Sequence, residues 1–346
     1  MNTHKPLAMS LQIPIKHGGN LREAAKKYQI PLTNWIDLST GINPNGWQPP
    51  EIPAYVWQRL PDEEDGLQQA AQQYYSVTSL LATAGSQAAI QALPYCRSQS
   101  KVGIISPAYA EYNYCWRNAG HEVIEIDADH IEAHISKLDV LIVINPNNPD
   151  THLHSLPTLR RWQQQLMQVG GWLIVDEAFM DSTPEHSLLQ HDMSTMPNLI
   201  VLRSLGKFFG LAGLRLGFIV ANPTILAQLQ HSLGTWPISN PSRYLGKKAL
   251  LDTAWQQQTR LNLKQKSQQL QQLLQQRLYQ YSNQTIFCTS LFCYIKSHNA
   301  SLLHTQLAEY GIWIRYFAKP QAVRIGLPQS EQQFRRLLSA LKQVSD

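Results

Sequence analysis

The chain has 346 residues, 43% hydrophobic and 15% charged, with a formal net charge of +5. That is enough to bury one large core or a large domain beside a smaller one, whereas no apolar stretch approaches the roughly 20 residues that span a bilayer. The basic residues are scattered singly rather than in a block, which points away from nucleic acid and toward a small anionic ligand.

The N-terminal MNTHKPLAMSLQIP lacks the charged-then-apolar layout of a secretory signal, so a cytoplasmic protein is expected. Residues 1–45 carry two motifs, KHGGN (Lys16 to Asn20) and DLSTGINPNG (Asp37 to Gly46), but little periodicity. They read as an arm that forms part of a second domain. Residues 46–240 read as a large domain. Its candidate strands are KVGIIS (Lys101 to Ser106), HEVIEI (His121 to Ile126), DVLIVI (Asp139 to Ile144), WLIVD (Trp172 to Asp176), LIVLR (Leu199 to Arg203) and LGFIVA (Leu216 to Ala221). Several are continuous apolar runs, the mark of strands covered on both faces. With helix-length segments between them they predict an α/β fold on a mainly parallel sheet, whose ligands bind at the carboxyl ends of the strands. Residues 241–346 open with a glutamine-rich helix from about Ser242 to Tyr281 and continue as strand, helix, two strands and helix, a smaller α+β domain.

The four cysteines (Cys96, Cys115, Cys288, Cys293) form no CxxC pair and are expected to be buried thiols. His152, His154, His186 and His191 read as solvated loop histidines, and no metal site is expected.

Polar groups gather at the predicted strand ends. Asp176 closes WLIVD, and a carboxylate there needs a cation. One strand later comes SLGKFFGLAGLRLG (Ser204 to Gly217), and one strand earlier the turn Asn145 to Pro149. Lys207, partly desolvated and beside Arg215, should have a lowered pKa and act as an amine nucleophile. Gly206, Gly210, Gly213 and Gly217 allow close backbone approach or positive φ. Ser204 and Arg215 could hold a phosphate, as could the helix start at Gly85 and Ser86. Tyr109 could stack on a flat ring.

Together these motifs resemble the pyridoxal-phosphate enzymes of fold type I, in the class that holds aspartate and histidinol-phosphate aminotransferases. The resemblance implies the type I fold, with a large domain on a mainly parallel seven-stranded sheet and a smaller α+β C-terminal domain. It implies that Lys207 bonds the pyridoxal 5'-phosphate cofactor and that Asp176 pairs with the ring nitrogen. By the same carry-over Asn148 meets the ring oxygen, Tyr109 stacks on the ring, and Ser86, Gln87, Ser204 and Arg215 hold the cofactor phosphate. Arg324, in AVRIGL, matches the position that binds substrate carboxylate, and Arg315, in WIRYF, a second anion-binding position. HGGN, the D-x-S-x-x-I-N-P element and Phe179, where aminotransferases of the class carry tyrosine, resemble the threonine-phosphate decarboxylases of the cobalamin pathway. That likeness implies decarboxylation of L-threonine O-3-phosphate to 1-aminopropan-2-ol O-2-phosphate, with His17, Gly18 and Gly19 helping to bind substrate phosphate, in a homodimer. In RLPDEEDGL, Leu60 stands where such a stretch usually carries tyrosine. A histidinol-phosphate aminotransferase or a related aminotransferase is the alternative, and a non-catalytic cofactor-binding sensor a more distant one.

Overall fold

A computed structural model describes residues 18–278 and 286–345. Helix α1 (Leu21–Tyr28) and strand β1 (Ile36–Asp37) are followed by α2 (Ala54–Gln58) and α3 (Leu67–Tyr75). Next come β2 (Leu80–Thr83), α4 (Gly85–Ala92), β3 (Lys101–Ser106), α5 (Glu111–Asn118), β4 (Glu122–Asp127), α6 (Ile131–His134), β5 (Val140–Ile144), α7 (Leu156–Gln168), β6 (Trp172–Asp176), β7 (Leu199–Ser204) and β8 (Gly217–Val220). The remainder is α8 (Pro223–Leu233), α9 (Asn240–Leu251), α10 (Thr253–Arg277), β9 (Phe287–Cys288), β10 (Phe292–Lys296), α11 (Ala300–Glu309), β11 (Ile312–Trp313), β12 (Arg315–Phe317), β13 (Ala322–Gly326) and α12 (Glu331–Ser345).

Seven strands form one sheet in the order β2-β8-β7-β6-β5-β3-β4. The pairs from β7 to β4 are parallel, while β8 runs antiparallel to both neighbours. Every residue of VLIVI in β5 and of LIVLRS in β7 is buried, as the unbroken apolar runs require of strands covered on two faces. The seventh strand is LLAT, β2. Its half-buried pattern and short length gave no strand signal, and its antiparallel pairing with β8 closes one edge of the sheet.

The expected helix from Ser242 to Tyr281 is two helices, its last residues lying outside those described. Asp252 breaks it: one carboxylate oxygen accepts from the Trp255 N–H at 3.1 Å and the other from the Trp47 indole at 2.9 Å. The Gln256 side chain then donates to the carbonyls of Ala249 and Leu250, satisfying the open end of α9. Beyond α10, four strands form a second, antiparallel sheet in the order β12-β13-β10-β9, and β11 pairs in parallel with β1 of the N-terminal segment. Cys288 and Cys293, facing each other across β9 and β10, are disulfide-bonded rather than free thiols. Strand pairing, which the five-residue spacing does not reveal, brings them together. Cys96 and Cys115 are free. His154 is not a solvated loop residue either: it is buried edge-on against Trp162, and burial pushes its imidazole down to about 4.

Candidate active site

Strands β6 and β7 end side by side, and the side chains at their carboxyl ends open one cavity. Asp176, the last residue of β6, is buried. One of its carboxylate oxygens accepts from the Ala178 N–H at 2.9 Å and the other from the Tyr112 hydroxyl at 2.9 Å. Burial raises its pKa, against the pull of these hydrogen bonds and of the Lys207 and Arg203 charges. A carboxylate in such a place favours a cationic partner. Lys207 follows β7, its Nζ 5.2 Å from the centre of the Phe179 ring. Burial, with Arg324 and Arg215 acting in the same direction against Asp176, lowers the Lys207 amine to about 8. The amine is therefore largely nucleophilic at mildly alkaline pH. Capture of an aldehyde probe by the cofactor-free protein, trapped with borohydride and located by peptide mapping, is expected to rise with pH about a midpoint near 8 rather than the ordinary 10.5. A midpoint at the ordinary value contradicts this assignment.

Beside this pair the chain builds a cradle of donors. Gly85 opens α4 at φ +72°, and Arg215 takes the left-handed region at φ +51°. A Cβ on Gly85 would come within 2.9 Å of an Arg215 guanidinium nitrogen, and one on Gly217 within 2.6 Å of the Ser86 backbone nitrogen. Only glycine permits that approach. Ser204 accepts from the Gly206 N–H at 3.2 Å. A guanidinium, two hydroxyls and the positive end of a helix thus face one small volume, the donor set of an anion site. Gln87 donates to Glu111 and accepts from the Tyr109 hydroxyl at 3.1 Å, so its contact here is with Tyr109.

The opposite wall comes from the second sheet. Arg315 on β12 lies directly across from Arg324 on β13. Arg324 is buried, donating to the Asn148 side-chain oxygen at 2.6 Å and to the Ser39 carbonyl at 2.5 Å. Burial, with the Arg315 charge adding to it against Asp37, lowers its pKa to about 10, and burial lowers that of Arg315 too. Like charges opposed on a sheet are destabilising, and a bound anion relieves them. Since the Asn148 oxygen is taken by Arg324, its amide N–H groups are what it offers a ligand.

Ser86, Gln87, Tyr109, Asn148, Asp176, Ser204, Lys207 and Arg215 line one cavity. Gly18, Arg315 and Arg324 line an adjoining one that shares Tyr109, Asn148 and Lys207 with it. Gly19 instead donates its N–H to the Ser39 hydroxyl at 2.8 Å, and His17 and Lys16 lie outside the described residues. Leu60 and Tyr55 are exposed and line a separate groove. No cluster of metal-ligating side chains occurs among the described residues, and none of their helices is long and apolar enough to cross a membrane.

Sequence reasoning missed the work of DLSTGINPNG, which straps the two walls together. The Asp37 carboxylate accepts from the Ser39 N–H and hydroxyl. The Leu38 carbonyl accepts from the Gly326 N–H at 2.7 Å, and Asn43 donates to the Lys207 and Phe208 carbonyls. Asp-x-Ser is a local turn signal, but its partners are distant in sequence. Phe292, edge-on to Phe179 at 5.2 Å and under the Arg324 guanidinium at 5.0 Å, had no signal at all.

Residues 33–341 match the aminotransferase class I and II family. The chain belongs to this family. It is 46% identical over 327 residues to the threonine-phosphate decarboxylase of Pseudomonas aeruginosa, covering 94% of this chain and 97% of that one. It is 37% identical to the threonine-phosphate decarboxylase of a Sinorhizobium species, over 96% and 99% of the two chains. The fold is shared with the histidinol-phosphate aminotransferase of Sinorhizobium meliloti in complex with pyridoxal-5'-phosphate, at TM-score 0.80, 18% identity and coverage of 100% and 98%. It is shared also with the L-threonine-O-3-phosphate decarboxylase of Porphyromonas gingivalis, at TM-score 0.74, 22% identity and coverage of 88% and 98%. This family member therefore has the type I fold expected from its motifs.

Proposed function

We propose that this chain is a pyridoxal 5'-phosphate-dependent lyase that decarboxylates L-threonine O-3-phosphate, giving CO2 and (R)-1-aminopropan-2-ol O-2-phosphate, the aminopropanol unit of cobalamin. The observation that carries the reading is the pair Arg315 and Arg324 on the wall facing Lys207, a provision for two anionic groups on one substrate. Identity to curated decarboxylases along nearly the whole chain supports it.

The cavity fits the cofactor. A cradle that a single Cβ would fill suits a phosphate, a buried carboxylate short of a cation suits a pyridine nitrogen bearing a proton, and an amine near its midpoint suits an aldehyde. Ser86, Ser204 and Arg215 with the start of α4 would hold the phosphate, Tyr109 would lie against the ring, and Asn148 would donate to the ring oxygen. Asp176 would hold the proton on the ring nitrogen. When bound, the cofactor supplies an electron sink for the pair released as CO2 departs. Lys207 would bond the cofactor through its amine and, as a free amine, would return a proton to the substrate Cα. Arg324 holds the carboxylate. Arg315, with Gly18 and His17, would take the substrate phosphate, the Gly19 N–H being held by the Ser39 hydroxyl. Phe179 presents no hydroxyl to the ring oxygen and so leaves that oxygen to Asn148. Gly85→Ala is expected to weaken cofactor binding about tenfold, because a left-handed alanine costs about 1–2 kcal/mol and its methyl displaces Arg215; equilibrium dialysis reads the change.

Tyr55, Leu60 and Leu251 are exposed and line one groove, and contiguous apolar surface of this kind marks an interaction site. We infer a homodimer, which light scattering of the purified protein tests. The activity is tested by mixing the holoenzyme with threonine phosphate and no oxo acid. Release of CO2 is expected. Turnover only with 2-oxoglutarate, yielding glutamate, makes the chain an aminotransferase instead.

A further inference from the structure

Directly behind the cofactor cavity lies a buried ionic cluster that the chemistry above does not use. Arg203 immediately precedes Ser204, and Glu177 immediately follows Asp176. Adjacent residues of extended chain face opposite sides, and Glu177, just past β6, continues the pairing through its N–H on the Leu202 carbonyl at 2.9 Å, so the pair points away from the cavity. Arg203, Glu177 and Asp181 are 2%, 0% and 0% exposed. The guanidinium donates through one terminal nitrogen to Glu177 at 2.6 Å, through the other to Asp181, and lies 4.8 Å from the centre of the Tyr75 ring. Glu177 is further held by the Ser187 hydroxyl and the Leu188 N–H. From α10, Arg260 donates to the Asp181 carbonyl at 3.0 Å and to the Tyr74 hydroxyl at 3.1 Å, and it lies over Phe208, the residue after Lys207.

Stability alone does not account for such a cluster, since well-packed apolar residues of similar volume usually serve a core as well or better. What a two-pronged guanidinium adds is geometric definition. Here the bonds tie the end of β6 to the end of β7, and each tie sits one residue from a group that faces the cofactor. We propose that Arg203, braced by Glu177 and Asp181, is a positioning residue that sets the relative placement of Asp176 and Ser204 and so the affinity for pyridoxal 5'-phosphate. Lysine cannot reproduce it, because one ammonium cannot bridge two carboxylates in a fixed plane. The cluster also acts electrically, as the Arg203 charge favours the ionised form of Asp176.

The inference rests on the proposed cofactor but not on the proposed substrate, so its test reads binding rather than decarboxylation. Arg203→Lys, Glu177→Gln and, as a control, the core truncation Leu166→Ala on α7 are compared by thermal melting of the cofactor-free protein and by equilibrium dialysis with pyridoxal 5'-phosphate. All three are expected to melt lower. Arg203→Lys and Glu177→Gln are expected to bind the cofactor about tenfold more weakly, the scale on which outer partners of binding groups act, whereas Leu166→Ala binds as the parent does. Glu177→Gln, close to isosteric and still able to accept from the Leu188 N–H with its one oxygen, carries the comparison if the lysine variant does not fold. Its lost negative charge should also lower the pH midpoint of the bound cofactor's visible absorption, a shift that loss of packing does not produce. Cofactor affinity and midpoint equal to those of Leu166→Ala overturn the assignment. Normal binding with no CO2 release in the parent would sink the proposed substrate and leave this inference standing.

Discussion

Lys207→Ala is expected to fold, to bind pyridoxal 5'-phosphate without a covalent bond, and to release CO2 from threonine phosphate at least about 1,000-fold more slowly than the parent. Proton transfer by a positioned side chain alone contributes roughly 100- to 10,000-fold, and in the proposed mechanism Lys207 also anchors the cofactor. No other lysine lines the cavity at Asp176 among the described residues, so no neighbour can take its place. The fold should not suffer. Burial already disfavours the ammonium form, and alanine removes that penalty while leaving Asp176 bound to Tyr112 and the Ala178 N–H. Borohydride trapping read by mass spectrometry should show no cofactor attached to the protein. Melting temperature separates this outcome from misfolding, and CO2 release within tenfold of the parent refutes the role given to Lys207.

The half of the site that belongs to strand ends was legible because two simple rules meet there. Unbroken apolar runs such as DVLIVI and LIVLR mark buried parallel strands, and ligands collect at their carboxyl ends. Asp176, Ser204 and Lys207 could therefore be placed together from spacing alone. Arg315 and Arg324 could not. They face the cavity only because β12 pairs with β13 in one register and the strap at Leu38 docks that sheet against the lysine loop. A resemblance pointed to them, whereas periodicity reads them as ordinary strand arginines. The break at Asp252 was hidden for a similar reason: its second partner, Trp47, is 205 residues away. Arg203, Glu177 and Asp181 sat inside apolar or motif-like text, where a charged residue gives no hint of which distant charge neutralises it. Local chemistry is visible in order along the chain, and pairing between elements is not.

In the proposed reaction Arg324 and Arg315 contact different groups of the substrate. Arg324→Met is expected to lower kcat/KM for threonine phosphate about 100- to 1,000-fold. Truncating a buried, hydrogen-bonded charge costs about 2–5 kcal/mol, and each 1.4 kcal/mol is tenfold. Arg324 is buried and bonded to Asn148 and the Ser39 carbonyl, so its loss also frees the group expected to meet the ring oxygen, and kcat should fall with it. Arg315 is only partly buried; Arg315→Met should act mainly through KM, and because it relieves the like charge opposite, it should leave the melting temperature near that of the parent. The reaction product discriminates between the two positions, since it keeps the phosphate and has lost the carboxylate. Its affinity, measured by competition, is expected to be unchanged in Arg324→Met and about tenfold weaker in Arg315→Met, the scale of one partly solvated charge-assisted contact. The reverse pattern exchanges the two roles, with Arg315 on the carboxylate. Equal losses in both variants would mean that the two guanidinium groups act as one undivided anion site, and the assignment of separate carboxylate and phosphate contacts would fall.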